Sequence, residues 1–238
     1  MATDLFKTLD TISAFHNYNS WIFRNLKPYL SGTVVDVGSG IGVIANYYKD
    51  HEDVTRVVLT DGFDEMLNIL KEKFSQDEMY SIIPMDISNT AAIPDSLKNS
   101  ADCVTCINVL EHIEDHEGAL SNMRLLLKNK GYLALMVPAL PVIYGSLDTL
   151  VGHYRRYTQK TLRSVLQKSG FKMEKLYYMN MFGVISWFIA GRILNYKSFD
   201  PASGKRLDSV VPIFEKLESR IKPIIGQSLI AVCRKDEG

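Results

Sequence analysis

Short apolar runs alternating with helical spacing constrain this chain more than any other feature. Thr33–Val37, Arg56–Thr60, Tyr80–Pro84, Ala101–Ile107 and Gly131–Val137 each have the length and apolar content of a buried strand. Strands buried on both faces read as near-continuous apolar runs, and parallel neighbours need a crossover long enough for a helix. The alternation therefore predicts βαβ units in a mainly parallel sheet with helices on both faces. Helical spacing is expected at Ser20–Leu30, Gly42–Asp50, Asp64–Phe74 and Glu117–Leu127, the last ended by an Asn129-Lys130-Gly131 turn.

Beyond Pro138 the pattern changes. A loop with Pro138 and Pro141 leads into Gly152-His153-Tyr154-Arg155-Arg156-Tyr157, and Thr158 can cap a helix over Gln159–Lys168 that Gly170 ends. Phe171–Tyr178 and Ser228–Cys233 read as further strands, so residues 179–227 form a helical insertion before the last one. The expected organisation is a single domain over 1–238 that includes this lid or cap.

Composition narrows the partners. Lys plus Arg and Asp plus Glu number 27 each, so no cationic field exists to collect phosphates, which argues against nucleic acid. Met1–Lys7 lacks a basic stretch followed by an apolar run, and three cysteines suit reduced thiols, so a cytoplasmic location is expected. Cys103 and Cys106 form a CxxC, but side chains three apart on a strand point to opposite faces. They are read as small buried hydrophobes.

The chemistry-bearing stretch is Val34–Gly42, "VVDVGSGIG", a strand running into a glycine turn. Such a turn lets the backbone approach a ligand closely. The spacing is GxGxG, and Val43 stands where a dinucleotide fold carries its last glycine. Asp36 precedes the glycines, Asp61 ends the next strand, and Asp86 follows the third. Carboxylates at successive strand ends line the edge where open α/β sheets bind ligands, with Asp61 suited to ribose hydroxyls and Asp86 to an exocyclic amine.

These segments, with "VVLTDGFDEML", "PMDIS" and "ADCVTCINVLEHIEDHEGAL", resemble the class I S-adenosylmethionine-dependent methyltransferases. The resemblance implies a Rossmann-like seven-stranded sheet whose last strand is antiparallel, and S-adenosylmethionine as cofactor. It assigns Asp36, Gly38 and Gly40 to the loop site and Asp61 to the ribose. Asp86 and Ile87 go to the adenine end and Asn108 to the methionine end, with Met66 a further cofactor contact. "GHYRRY" is similar to a segment of one type 11/12-like branch, several members of which are linked to polysaccharide, lipid or secondary metabolism.

Methyl transfer from a sulfonium is an in-line displacement, so the protein mainly positions the acceptor and removes its proton. His153 is the candidate base, since imidazole titrates near neutrality, with Asp148 to orient it and Tyr157 beside it. His112, Tyr144, Arg155 and Arg156 are candidate acceptor contacts, the arginines through bidentate pairing with an anion. The same loop can equally be a salt-bridged brace. His112 and His116 can share a helical face, but Ile113 stands where HExxH needs its glutamate, and no metal is expected.

Residues 179–195, "MNMFGVISWFIAGRILN", are strongly apolar yet short for a span. They suit a lid over the site, a dimer contact, or peripheral membrane contact through 179–194 with Lys197, Lys205 and Arg206 near headgroups. The expected function is methyl transfer to oxygen or nitrogen of a small, hydrophobic or lipid- or sugar-linked metabolite by a monomer or homodimer. The alternatives are an NAD(P)-dependent oxidoreductase or epimerase and a noncatalytic cofactor-binding protein. Strand four leads into "INVLEH" rather than an (Asp/Asn)-Pro-Pro-aromatic turn, which disfavours base or amide methylation.

Overall fold

The computed structural model describes residues 13–196 and 201–235. Its strands are β1 Gly32–Val37, β2 Val54–Asp61, β3 Tyr80–Pro84, β4 Ala101–Ile107, β5 Leu127–Pro138, β6 Phe171–Met179 and β7 Ser228–Lys235. The helices are α1 His16–Leu26, α2 Ala45–Tyr48, α3 Asp64–Phe74, α4 His116–Leu126, α5 Ser146–Val151, α6 Gln159–Lys168, α7 Met181–Phe188 and α8 Pro201–Glu218. They build a 7-stranded sheet in the order β3-β2-β1-β4-β5-β7-β6. All neighbours from β3 to β5 are parallel, and β7 lies antiparallel between β5 and β6. The Rossmann-like expectation holds, insertion included.

Side-chain alternation divides the core into two layers. Val35, Val104 and Leu135 face α4 and α6, where Leu120, Met123, Leu162 and Leu166 cover them. Val34, Leu59 and Ala134 face α1, α2 and α3, where Trp21, Leu26, Tyr48 and Leu70 close the other side. Cys103 and Cys106 fall in different layers, as their strand spacing requires, and both are buried free thiols. Burial pushes both thiols up, so neither is a nucleophile near neutrality.

Three boundaries depart from the sequence reading, each for a backbone reason. The first helix spans His16–Leu26 rather than Ser20–Leu30, because Pro28 has no N–H for the helical ladder and the chain tightens into a 3-10 turn at Lys27–Tyr29. The helix expected from Gly42 begins only at Ala45, since Gly42 is left-handed at φ +77°. The turn expected at Asn129–Gly131 is part of β5. Ala101 pairs with Leu127 but Cys103 with Tyr132, so the extra residues bulge outward around Lys130 at φ +64°.

The insertion is fastened at both ends. Asp208 on α8 accepts the backbone amides of Asn17 (3.0 Å) and Tyr18 (2.9 Å) on α1. Glu218, at the end of α8, accepts those of Asn180 (2.9 Å) and Met181 (2.6 Å), satisfying the first turn of α7. Among the described residues no helix is long and apolar enough to cross a membrane. Lys197, named above as a headgroup contact, lies outside the described residues.

Candidate active site

The strand order lays the acidic and glycine elements in a row along the carboxyl edge. From one side come Asp86 after β3, Asp61 at the end of β2, Gly38–Gly42 after β1, and Asn108 after β4. Three inter-strand gaps of about 4.8 Å separate β3 from β4, so the row is about 14 Å long, the scale of an extended nucleoside with an amino-acid tail. The chain reverses its winding direction between β1 and β4, the switch point where such sheets hold ligands.

Each member is set by local bonds. Asp61 accepts the amides of Gly40 (2.9 Å) and Phe63 (3.0 Å), which tie the loop to β2 and leave further carboxylate lone pairs for a diol. Burial raises its pKa against those two backbone bonds, which pull it down. Asp86 is exposed and accepts from the Ser88 amide (2.9 Å) and hydroxyl (2.6 Å). Ile87, next to it in sequence, and Met66 on α3 are both buried, and Asn108 is exposed in the left-handed region at φ +53°. Gly38, at φ +68°, would place a Cβ 2.5 Å from Val109 Cγ2, so the loop seats directly on the β4 turn.

Asp36 has a different place from its neighbours. Its carboxylate points into the core, accepting from Thr105 Oγ1 (2.6 Å) and Tyr48 OH (3.3 Å). Burial pushes its pKa to about 6. It braces the glycine turn from beneath. Phe63, which the sequence reading passed over, stands 64% exposed between Asp61 and α3, where a flat ring can cover an adenine. An apolar residue two positions after the strand-end acid was the available signal.

On the other flank, the loops after β4 and β5 meet. His153 Nδ1 lies 2.8 Å from Asp148 Oδ1, so the expected His–Asp couple forms. Asp148 also accepts from Arg156 Nε (2.7 Å), Trp187 Nε1 (3.1 Å) and the Gly145 amide (3.0 Å). His153 and Arg156 hold its carboxyl below the usual range against the upward push of burial. The His112 ring packs edge-on to that of His153 at 4.8 Å, and burial beside it drives His112 down to about 4. Glu111, fully buried, puts Oε1 3.7 Å from His153 Nε2. Neither Glu111 oxygen has a hydrogen-bond partner among the described residues, and burial pushes its carboxyl to about 8. The sequence reading noted Glu111 beside His112 after strand four but gave it no role, because its chemistry depends on a loop remote in sequence.

Other candidates are engaged elsewhere. Arg155 donates to the carbonyls of Ile113 and Glu114, both at 2.9 Å, and Arg156 Nη1 to that of Ala139 at 2.8 Å. The arginines expected to clamp an anion thus act as the brace. Tyr157 is in the core, its hydroxyl 2.8 Å from His116 Nδ1, which removes it from the reacting groups. His112 and His116 do not share a face, because His112 ends a 3-10 turn and His116 begins α4. Tyr144 OH donates to the His153 carbonyl (2.7 Å) and holds the loop rather than standing free. Trp187 stacks on Arg156, 4.9 Å from ring centre to guanidinium carbon, so α7 closes over this network.

A methyltransferase domain family matches residues 11–176, and strand order, glycine turn and acidic edge agree with it. The chain belongs to that family. Its cofactor is S-adenosylmethionine, and the donor set just described fits that molecule; the dinucleotide reading falls away. The chain is 36% identical over 115 residues to an uncharacterized protein of Methanocaldococcus jannaschii, covering 48% of this chain and 43% of that one. It is 27% identical over 176 residues to a ubiquinone/menaquinone biosynthesis C-methyltransferase of Enterobacter sp. (strain 638), covering 63% of this chain and 69% of that one. The S-adenosylmethionine dependent methyltransferase of Mesorhizobium loti has the same fold at TM-score 0.61 and 15% identity, covering 89% of this chain and 95% of that one.

Proposed function

We propose that this methyltransferase modifies a small hydrophobic or lipid- or sugar-linked metabolite at oxygen, nitrogen or carbon. The observation that carries this reading is the group formed by buried Glu111 with half-buried His112 and His153 beyond the methionine end of the row. A nucleoside along Asp86 and Asp61 directs its amino-acid tail toward Asn108, beyond which this group meets the acceptor. The bound cofactor supplies a methyl group already activated on a sulfonium. Asp61 and the glycine turn orient the donor, and Phe63 covers the base. Asp148 fixes the His153 ring, leaving Nε2 to face the acceptor.

Carbon joins oxygen and nitrogen as an acceptor atom because of the Enterobacter relative, whose name places it in quinone synthesis. Exposed Ile185, Phe188, Ile189, Ile193 and Leu194, with Arg192, Lys205 and Arg206, support an amphipathic acceptor presented at a membrane surface. The GHYRRY segment supports a place in the type 11/12-like branch. Calorimetry with S-adenosylmethionine, followed by labelled-donor screening of metabolite fractions, tests the reading. His153→Ala is expected to lower turnover at least 100-fold with donor affinity held within threefold; unchanged turnover removes the role of this cluster.

A further inference from the structure

Glu111, His112 and His153 each offer one donor atom, and these atoms lie within 4.8 Å of one another. They come from two loops, Leu110–His112 after β4 and the turn after α5, so no spacing along the chain marks them. Two imidazoles and a carboxylate are a recurrent ligand set for zinc and similar divalent ions in sites that keep an open position. Bonds of 2.0–2.1 Å in tetrahedral geometry put donors about 3.4 Å apart, so the longest edge closes by about 1.4 Å on binding.

Three independent features point the same way. Both Glu111 oxygens are buried with no hydrogen-bond partner among the described residues, an arrangement that costs free energy unless something fills it. Arg156, the nearby cation, is bonded to Asp148 and the Ala139 carbonyl instead. The second ring nitrogen of His153 is also held as in metal sites, with Asp148 fixing Nδ1.

We infer that Glu111, His112 and His153 bind one divalent transition-metal ion of the zinc class, with Asp148 as a positioning residue and an open coordination place for an acceptor oxygen. The inference rests on the acceptor-side location proposed above and deepens it, with His153 Nε2 held by the ion and the ion, in place of that nitrogen, facing the acceptor. It also replaces the sequence expectation that no metal binds.

The test uses full-length protein stripped with chelator and titrated with Zn2+ by calorimetry, with Co2+ absorption as a second reporter. One ion per chain is expected. Glu111→Gln and His153→Ala are each expected to weaken binding at least 100-fold, and Asp148→Asn about 10- to 100-fold. Far-UV circular dichroism and donor affinity check each variant's fold, and His112→Gln replaces any variant that does not fold. Absence of saturable Zn2+ binding, or affinity unchanged in both ligand variants, overturns the inference. Donor binding without metal binding overturns the metal alone, whereas absence of donor binding overturns the methyltransferase reading.

Discussion

Removing the Glu111 charge should stabilise this protein, increasingly so as pH rises. In metal-free protein, burial keeps this carboxyl protonated to about pH 8 against an ordinary value of 4.5. An unfolded chain gives up that proton near 4.5, so between 4.5 and 8 the unfolded state binds fewer protons than the folded one. Stability of the wild type therefore falls across that window and levels off above it. The interval corresponds to about 5 kcal/mol at 1.36 kcal/mol per pH unit, an upper limit because entering water relieves part of it. Glu111→Gln does not titrate and has nearly the same shape. Its advantage over the wild type should rise from near zero at pH 4.5 to about 2–5 kcal/mol at pH 8.5. Urea unfolding in EDTA, followed by circular dichroism at several pH values, measures the difference. A flat difference, or a wild type more stable at pH 8.5, refutes the reasoning. Zn2+ should then stabilise the wild type and leave Glu111→Gln unchanged.

Asp148→Asn leaves Arg156 buried without its ion partner and should cost about 3–5 kcal/mol in denaturant unfolding; a loss under about 1 kcal/mol would show the pair to be dispensable. Gly42→Ala forces a left-handed alanine whose Cβ lies 2.4 Å from Phe74 Cε2. Together these effects should cost about 2–5 kcal/mol, and a wild-type melting temperature would contradict the built contact. Phe63→Ala should weaken donor binding roughly fivefold, about 1 kcal/mol of ring contact, as read by calorimetry; unchanged affinity would place the base elsewhere. Anionic vesicles should carry the protein in flotation, and Ile193→Ser with Leu194→Ser should reduce that; failure of the wild type to float ends the membrane proposal.

Much of the architecture is written in local pattern. Buried strands at Val34–Val37 and Val104–Cys106 are legible because both faces of such a sheet are covered, so their apolar runs are continuous. The acids at Asp61 and Asp86 and the GxGxG turn are also local, each sitting at its own strand's end. Helix limits were less legible, since Pro28 and the left-handed Gly42 act on backbone conformation that periodicity does not register. The fate of the side chains was decided only in three dimensions. Asp36, adjacent to the cofactor glycines in sequence, turns inward because β4 presents Thr105 to it. Arg155 and Arg156, nearly identical to read, end as a carbonyl brace and a buried ion pair. Sequence determined the sheet and pointed to a ligand-binding edge, because those follow from chain-local periodicity and strand-end chemistry, whereas the methyl donor came from the resemblance of those segments to known methyltransferases. The meeting of Glu111 and His112 with His153 depends on two separate loops converging after β4 and β5, and only the tertiary structure brings those donors within reach of one ion.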